Sequence, residues 1–218
     1  RAMPGGSRNG MDLSMNQTGM DWPESLMPNA FRGLDLLRSV SVRGQKAAGL
    51  ISGHGVWDGL AGFDPIVAGT FPINLDIDGS DIDILCHCPD FDGFKAHVQA
   101  VFGHHDDFGL HRRPATQHVA QAIVVRFVLD DLPVEIFATG TPSQCQFGFR
   151  HMLVEARLIY LLGSQLSEEI RKMKRAGFKT EPAFAILLEL GADPYLVLDE
   201  MYDLGPLALK SRVGRFIL

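Results

Sequence analysis

The sequence predicts an α+β fold, a small mixed sheet with flanking helices and a helical C-terminal portion. Three observations predict it. Short apolar or alternating runs at 64–68, 77–88, 122–129 and 134–138 have strand character. Ahead of the first run and after the second, apolar residues recur at helical spacing. From Phe149 onward the pattern is helical throughout.

Residues 1–22 are rich in Gly, Met, Asn and Ser without periodicity, which predicts a disordered leader. Residues 23–148 are expected to form the core, and 149–218 a helical portion packed on it. Asn29 can cap a helix covering Phe31, Leu34, Leu36, Leu37 and Val40, a second helical segment follows at 45–51, and 54–59 breaks the pattern. Residues 64–68 read as the first core strand, ending in a Gly69-Thr70 turn where glycine lets the backbone approach a phosphate. Residues 77–88 hold the second strand. Asp90 or Asp92 begins a helix through Phe94, Val98, Val101 and Phe102, and Gly103 ends it. His104, His105, Asp106 and Asp107 read as a solvated loop. A hairpin follows, with Asp130-Asp131 as its turn. Met152, Leu153, Ala156, Ile159 and Tyr160 recur at helical spacing, as do Ile170, Met173 and Lys174. Thr180-Glu181-Pro182 and Asp193-Pro194 start two more helices, proline being well tolerated in a first turn.

The most informative stretch is Asp81-Ile82-Asp83-Ile84. Side chains alternate along a strand, so Asp81 and Asp83 share one face while Ile82 and Ile84 share the other and can enter a core. Two like charges so placed repel unless a cation sits between them. Oxygen ligands of this kind suit magnesium, which takes one or two carboxylates and fills its other positions with water and substrate phosphates. Asp76 and Asp78 alternate just upstream and read first as loop or edge residues, able to assist a second cation.

The Gly69-Thr70 turn, the ten residues 71–80 and the Asp-Ile-Asp-Ile run together resemble the signature of the DNA polymerase beta-type nucleotidyltransferase superfamily. The form Gly79-Ser80-Asp81-Ile82-Asp83-Ile84 is similar to its minimal members. Segments 146–158 and 179–185 look like parts of a narrower, uncharacterised bacterial family of nucleotidyltransferase-like domains of unknown function, the DUF4269 type, and the similarity spans roughly residues 65–203. The resemblance implies a sheet of nucleotidyltransferase type and a magnesium (or manganese) dependent transfer of a nucleoside monophosphate from a triphosphate such as ATP to an unknown hydroxyl acceptor. It implies that Asp81 and Asp83 hold the metal and that Gly69, Thr70 and Ser80 contact the triphosphate. It also calls for a third acid from a neighbouring strand, for which Glu135 is the candidate. Thr70 departs from the usual Ser or Gly of the turn. The same resemblance leaves room for a degenerate nucleotide- or partner-binding domain, or a toxin–antitoxin component.

What faces Glu135 depends on the hairpin: a two-residue loop puts Arg126 opposite it, a four-residue loop Val128. Arg126, Arg150 and His151 are candidate substrate or phosphate contacts; the last two open a helix, where the dipole favours an anion, and serve either a phosphate or acceptor, or capping and packing. Arg157 points either into a cleft or to the surface. The basic runs 111–113 and 171–175 read as solvated faces that can also meet a phosphate.

Composition sets bounds. The 218 residues carry a formal net charge of −6, which argues against extended nucleic-acid binding but not against a small nucleotide. No apolar run reaches the about 20 residues of a membrane helix, and a cytoplasmic location is expected. Three cysteines do not make a disulfide framework at this length. Cys86 and Cys88 continue the face of Ile82 and Ile84, so buried thiols fit them better than a zinc site.

Overall fold

A computed structural model describes residues 21–213 apart from 118 and 192. Among the described residues five strands form one sheet: β1 (Ile66–Ala68), β2 (Ile82–His87), β3 (Asp106–Arg113), β4 (Ala122–Leu129) and β5 (Leu132–Thr139). Their spatial order is β1-β2-β5-β4-β3. Only β2 and β5 run parallel; the other neighbours are antiparallel, so the sheet is mixed as expected. The β4–β5 loop has two residues, Asp130 and Asp131, because Leu129 pairs with Leu132. That settles the hairpin register in favour of Arg126 opposite Glu135.

The predicted alternation sorts the two faces of the sheet. Ile82, Ile84, Cys86 and Cys88 enter one core with Val67, Ile123, Val125, Phe127, Val134 and Ile136. Helices α1 (Asp35–Val40), α2 (Val42–Gly53), α3 (Val56–Gly59) and α4 (Phe91–Phe102) contribute to that layer. Asp90 caps α4 by accepting from the backbone N–H groups of Asp92 and Gly93, and Gly103 closes the helix. On the opposite face Ile66, Ala68 and Leu85 join a second core with Phe149, Met152, Leu153 and Phe184. It is built by α5 (Phe147–Leu162), α6 (Ser164–Arg175), α7 (Thr180–Leu187), α8 (Pro194–Glu200) and α9 (Pro206–Arg212).

Several expectations are corrected. The second strand starts at Ile82, since 77–80 form a tight turn in which Ser80 Oγ accepts from the Ile77 N–H at 2.9 Å. Asn29 caps nothing: it lies in a 3₁₀ turn at Pro28–Phe31, and Gly33, in the left-handed region at φ +73°, separates that turn from α1. The solvated loop expected at 104–107 gives way to strand β3 from Asp106. The pattern break at 54–59 contains the short helix α3, and α9 follows the last helix expected. The disordered leader lies outside the described residues except for Asp21 and Trp22. Trp22 is not loose: its Nε1 donates to Leu204 O at 3.0 Å, and the Arg157 guanidinium stacks over its ring at 4.8 Å. Arg157 is therefore neither in a cleft nor at the surface, but buried and donating to Tyr202 O at 2.8 Å and Leu26 O at 3.3 Å.

Phe149 is fully buried and meets Phe31 edge-to-face at 6.0 Å, tying the N-terminal segment to the helical layer. Replacing it with Ala should lower the unfolding free energy by about 3–5 kcal/mol in urea denaturation.

Candidate functional site

Burial changes steadily along the helical-layer face of β2. Asp81 is exposed, Asp83 half-buried and Leu85 buried. The cause is α5, whose first turn packs on the far end of the strand. Gln146 Nε2 donates to Cys86 O at 2.9 Å, and a Cβ built on Gly148 would touch the Leu85 methyls at 3.5 Å. The near end stays open as one wall of a cleft of about 1350 Å³ between the sheet and α5, α6 and α7.

Register brings the expected acids together. Asp83 pairs with Ala68 on β1 and with Glu135 on β5, and Glu135 pairs with Arg126 on β4. Directly opposed residues share a face, so Asp83, Glu135 and Arg126 form a row across three strands. Arg126 has taken Glu135: its Nε donates to Oε2 at 2.7 Å and its Nη2 lies 2.5 Å from the same oxygen. Glu135 is mostly covered, with 20% of its side chain exposed against 61% for Arg126. Both line the cleft.

Asp83 has no such partner among the described residues. Its carboxylate lies against Gly69, where a Cβ would fall 2.1 Å from Oδ2, and Gly69 itself adopts φ +71°. Both observations demand glycine at that position. Burial, then the charges of Asp81, Glu135 and Glu181, hold the Asp83 carboxyl well above the usual carboxylate range, with Lys174 as the opposing influence. Thr70 and Ser80 line the same cleft beside Asp81. Asp76 and Asp78 are gripped by Arg43, through Nε–Oδ2 at 2.7 Å and Nη1–Oδ1 at 2.6 Å.

The helical wall supplies groups whose convergence the sequence does not announce. His151 and Glu155 stand one turn apart on α5, 4% and 3% exposed. His151 Nδ1 faces Glu181 Oε1 on α7 at 3.7 Å. Its Nε2 and one oxygen of Glu155 are buried without a hydrogen-bond partner among the described residues. Burial and the charge of Glu181 push Glu155 well above the ordinary range, against Lys174. Burial would raise Glu181 as well, but the facing His151 ring, its own backbone N–H and Lys179 bring it below the ordinary value. Lys174 Nζ donates to Leu75 O at 2.9 Å, and burial lowers its pKa against the charges of Glu155, Asp76, Asp81 and Asp83. Lys174 thus stands between the sheet acids and the helical-wall acid. Of its basic run, Arg171 is bound to Asn74 O and Lys172 to Glu169.

Arg150 is not brought to the cleft. Its Nε donates to Asp199 Oδ1 at 2.5 Å and its guanidinium stacks on Tyr202 at 4.0 Å. Cys86 and Cys88 are buried free thiols, raised by burial to about 11 for Cys88 and higher still for Cys86. Among the described residues no group of three or more His, Cys, Asp or Glu side chains is arranged to hold a metal ion. Among them, too, no helix is long and apolar enough to cross a membrane.

A family model described as "Domain of unknown function (DUF4269)" matches residues 49–201, which include every strand, the acid row and the helical wall. The chain belongs to the DUF4269 family. No curated protein matches it. Among solved structures, it is similar to the Cid1 poly(U) polymerase in its MgGTP-bound form, at 10% identity over 76% of this chain and 53% of that one, with a TM-score of 0.45. It is similar to a cytoplasmic RNA terminal U-transferase at 10% identity over 73% and 46%, TM-score 0.43, and to the polymerase core of TRAMP at 12% over 80% and 54%, TM-score 0.44. The DUF4269 chain therefore spans about half the length of these structures.

The buried Glu155 gives a pH test. Its folded-state pKa is raised, so its contribution is fully present below the unfolded value near 4.5 and is lost as pH rises through the raised folded value. Glu155→Gln should therefore gain stability relative to the wild type as pH climbs from about 4 to 8, read from urea unfolding across that range; parallel curves would refute it. At Gly69, Ala would meet both Asp83 and an unfavourable φ, and its thermal midpoint should fall by several degrees.

Proposed function

We propose that this DUF4269 chain is a metal-dependent nucleotidyltransferase that moves a nucleoside monophosphate from a triphosphate to a hydroxyl acceptor. The observation that carries it is Asp83, a half-buried carboxyl flanked by Asp81 and Glu135, with a glycine turn against it and no side-chain partner of its own among the described residues. Such a group is held in readiness for a cation. The donor set fits a hard ion: Asp81 and Asp83 supply oxygens from one strand face, and magnesium completes its shell with phosphates and water. Glu135, held by Arg126, is adjacent to that pair in register but is not free to join it as placed.

In this reading the bound ion would neutralise the triphosphate and polarise the α-phosphorus. The remaining work belongs to the chain. The Gly69-Thr70 turn and Ser80 flank the nucleotide's phosphates. Lys174 faces the same acids from α6 and meets the outer phosphates. Residues 23–148 thus carry the nucleotide, and 149–218 form the wall facing it. His151 stays on that wall as a contact for the acceptor, whereas Arg150, engaged with Asp199, drops out.

The Arg126–Glu135 pair favours a second reading, a nucleotide-binding domain without catalysis, because an arginine neutralises the acid that the superfamily resemblance requires. Calorimetry with a panel of non-hydrolysable nucleoside triphosphates separates the possibilities. Magnesium-dependent binding should weaken at least about 10-fold in Asp81→Asn/Asp83→Asn, since charge-neutral amides leave the ion's charge unmatched. Binding to no nucleotide would sink both readings. Binding that persists unchanged in the variant would sink the metal assignment. Pyrophosphate release from hydrolysable triphosphate then rejects the non-catalytic reading.

A further inference from the structure

Two polar side chains in the cleft wall are not accounted for by nucleotide or metal binding. His151 Nε2 and a Glu155 oxygen are buried, lack hydrogen-bond partners among the described residues, and lie one turn apart on the face of α5 that lines the cleft. Leaving such atoms unsatisfied is costly, and a polar ligand in the cleft would relieve it. The arrangement around them is ordered. Glu181 faces the imidazole from Nδ1 at 3.7 Å, and the rings of Phe147 and Tyr195 flank it at 5.4 and 6.0 Å. A carboxylate on the Nδ1 side favours the tautomer with its proton there, which leaves the lone pair on Nε2. A nucleophile's base oriented by a third group is the recurring arrangement for activating a hydroxyl.

Resting on the nucleotidyltransferase reading above, we propose that His151 is the general base of the transfer. Its Nε2 takes the proton of a small-molecule acceptor hydroxyl seated beside Glu155, while Glu181 positions the imidazole from the far side. The acceptor oxygen forms its bond to the α-phosphorus as the bond from that phosphorus to the bridging oxygen breaks. Pyrophosphate leaves with that electron pair. The hydroxyl proton rests on Nε2, opposite the Glu181 charge, until solvent removes it. Glu155, buried one turn along α5, hydrogen-bonds a second polar atom of the acceptor through its unpartnered oxygen. The role falls to His151 because Glu135 is already paired with Arg126. The flanking Phe147 and Tyr195 rings, with Met152 and Phe178 on the same cleft lining, fit a compact hydroxylated molecule with an apolar body.

Two measurements test this on the full chain. In ¹⁵N-histidine-labelled protein, long-range ¹H–¹⁵N NMR reads the tautomer of His151. The Nδ1-protonated form is expected in the wild type, with a shift toward the Nε2-protonated form in Glu181→Gln. An Nε2-protonated imidazole in the wild type overturns the proposal whatever nucleotides do, because it has no lone pair to offer. The kinetic arm follows pyrophosphate release from magnesium nucleoside triphosphates with water and glycerol as acceptor probes. His151→Gln should lower kcat by about 100-fold or more, and Glu181→Gln by about 10-fold, with nucleotide Kd within about two-fold of wild type. His151→Asn replaces the Gln variant if the latter fails to fold. An unchanged kcat with nucleotide bound overturns the base, as does a loss of nucleotide affinity matching the loss of rate. So does a wild type that binds nucleotide yet releases no pyrophosphate with either probe. Absence of magnesium-dependent nucleotide binding in the wild type is a different failure, that of the nucleotidyltransferase reading itself.

Discussion

The parallel pairing of β2 with β5 is the constraint on which the site depends. Its register sets Asp83 beside Glu135 on one sheet face. Two unit charges about 5 Å apart at an effective dielectric of about 20 repel by roughly 3 kcal/mol, a large fraction of a domain's net stability. The chain answers the two halves of that problem differently. Glu135 receives an arginine from the next strand, and that solution is available only because the hairpin turn is two residues long. Asp83 sits at the other end of the row, where its β1 neighbour is Ala68 and nothing cationic can come from the sheet. What relieves it is protonation, the more distant Lys174, or a ligand.

Much of this was legible because it is local. Alternation in a strand follows from backbone geometry alone, so Ile82, Ile84, Cys86 and Cys88 declared one face and Asp81 and Asp83 the other. The Asp90 cap and the Gly103 stop lie within a turn of the helix they bound. Strand β3 was illegible for the converse reason. It is an exposed edge whose Asp, His and Arg side chains need no burial, its apolar signal reduces to Phe108 and Leu110, and a register shift between Asp106 and Gly109 blurs even that period. Its strand character comes from pairing with β4, which no local pattern records. The Asn29 expectation failed on chain geometry: a left-handed Gly33 stands between the cap residue and the helix it was to begin.

The helical wall shows where sequence reading stops. Glu155 lies among apolar neighbours on a clean amphipathic pattern, and only its burial reveals it as an ionisable group kept from water. Glu181 is drawn to His151 across two helices, and Lys174 reaches the sheet acids from a third. One signal was present: His151 and Glu155 are four residues apart, a spacing that stacks side chains on one helical face. The spacing could not say that this face closes a cleft.

Charge sorting in that cleft bears on what it can hold. The chain as a whole is acidic, yet His111, Arg112 and Arg113 on β3, Arg126 on β4, and Lys174 and Lys179 on the helical side all line the same cavity as the acids. Some of these cations are already committed, Arg126 to Glu135 and Arg112 to the ring of Phe91 and the carboxylate of Asp92. These groups line one concave cavity, with Asp81 and Asp83 on its sheet wall and the buried His151 and Glu155 on its helical wall, so any occupant meets carboxylates and cations together.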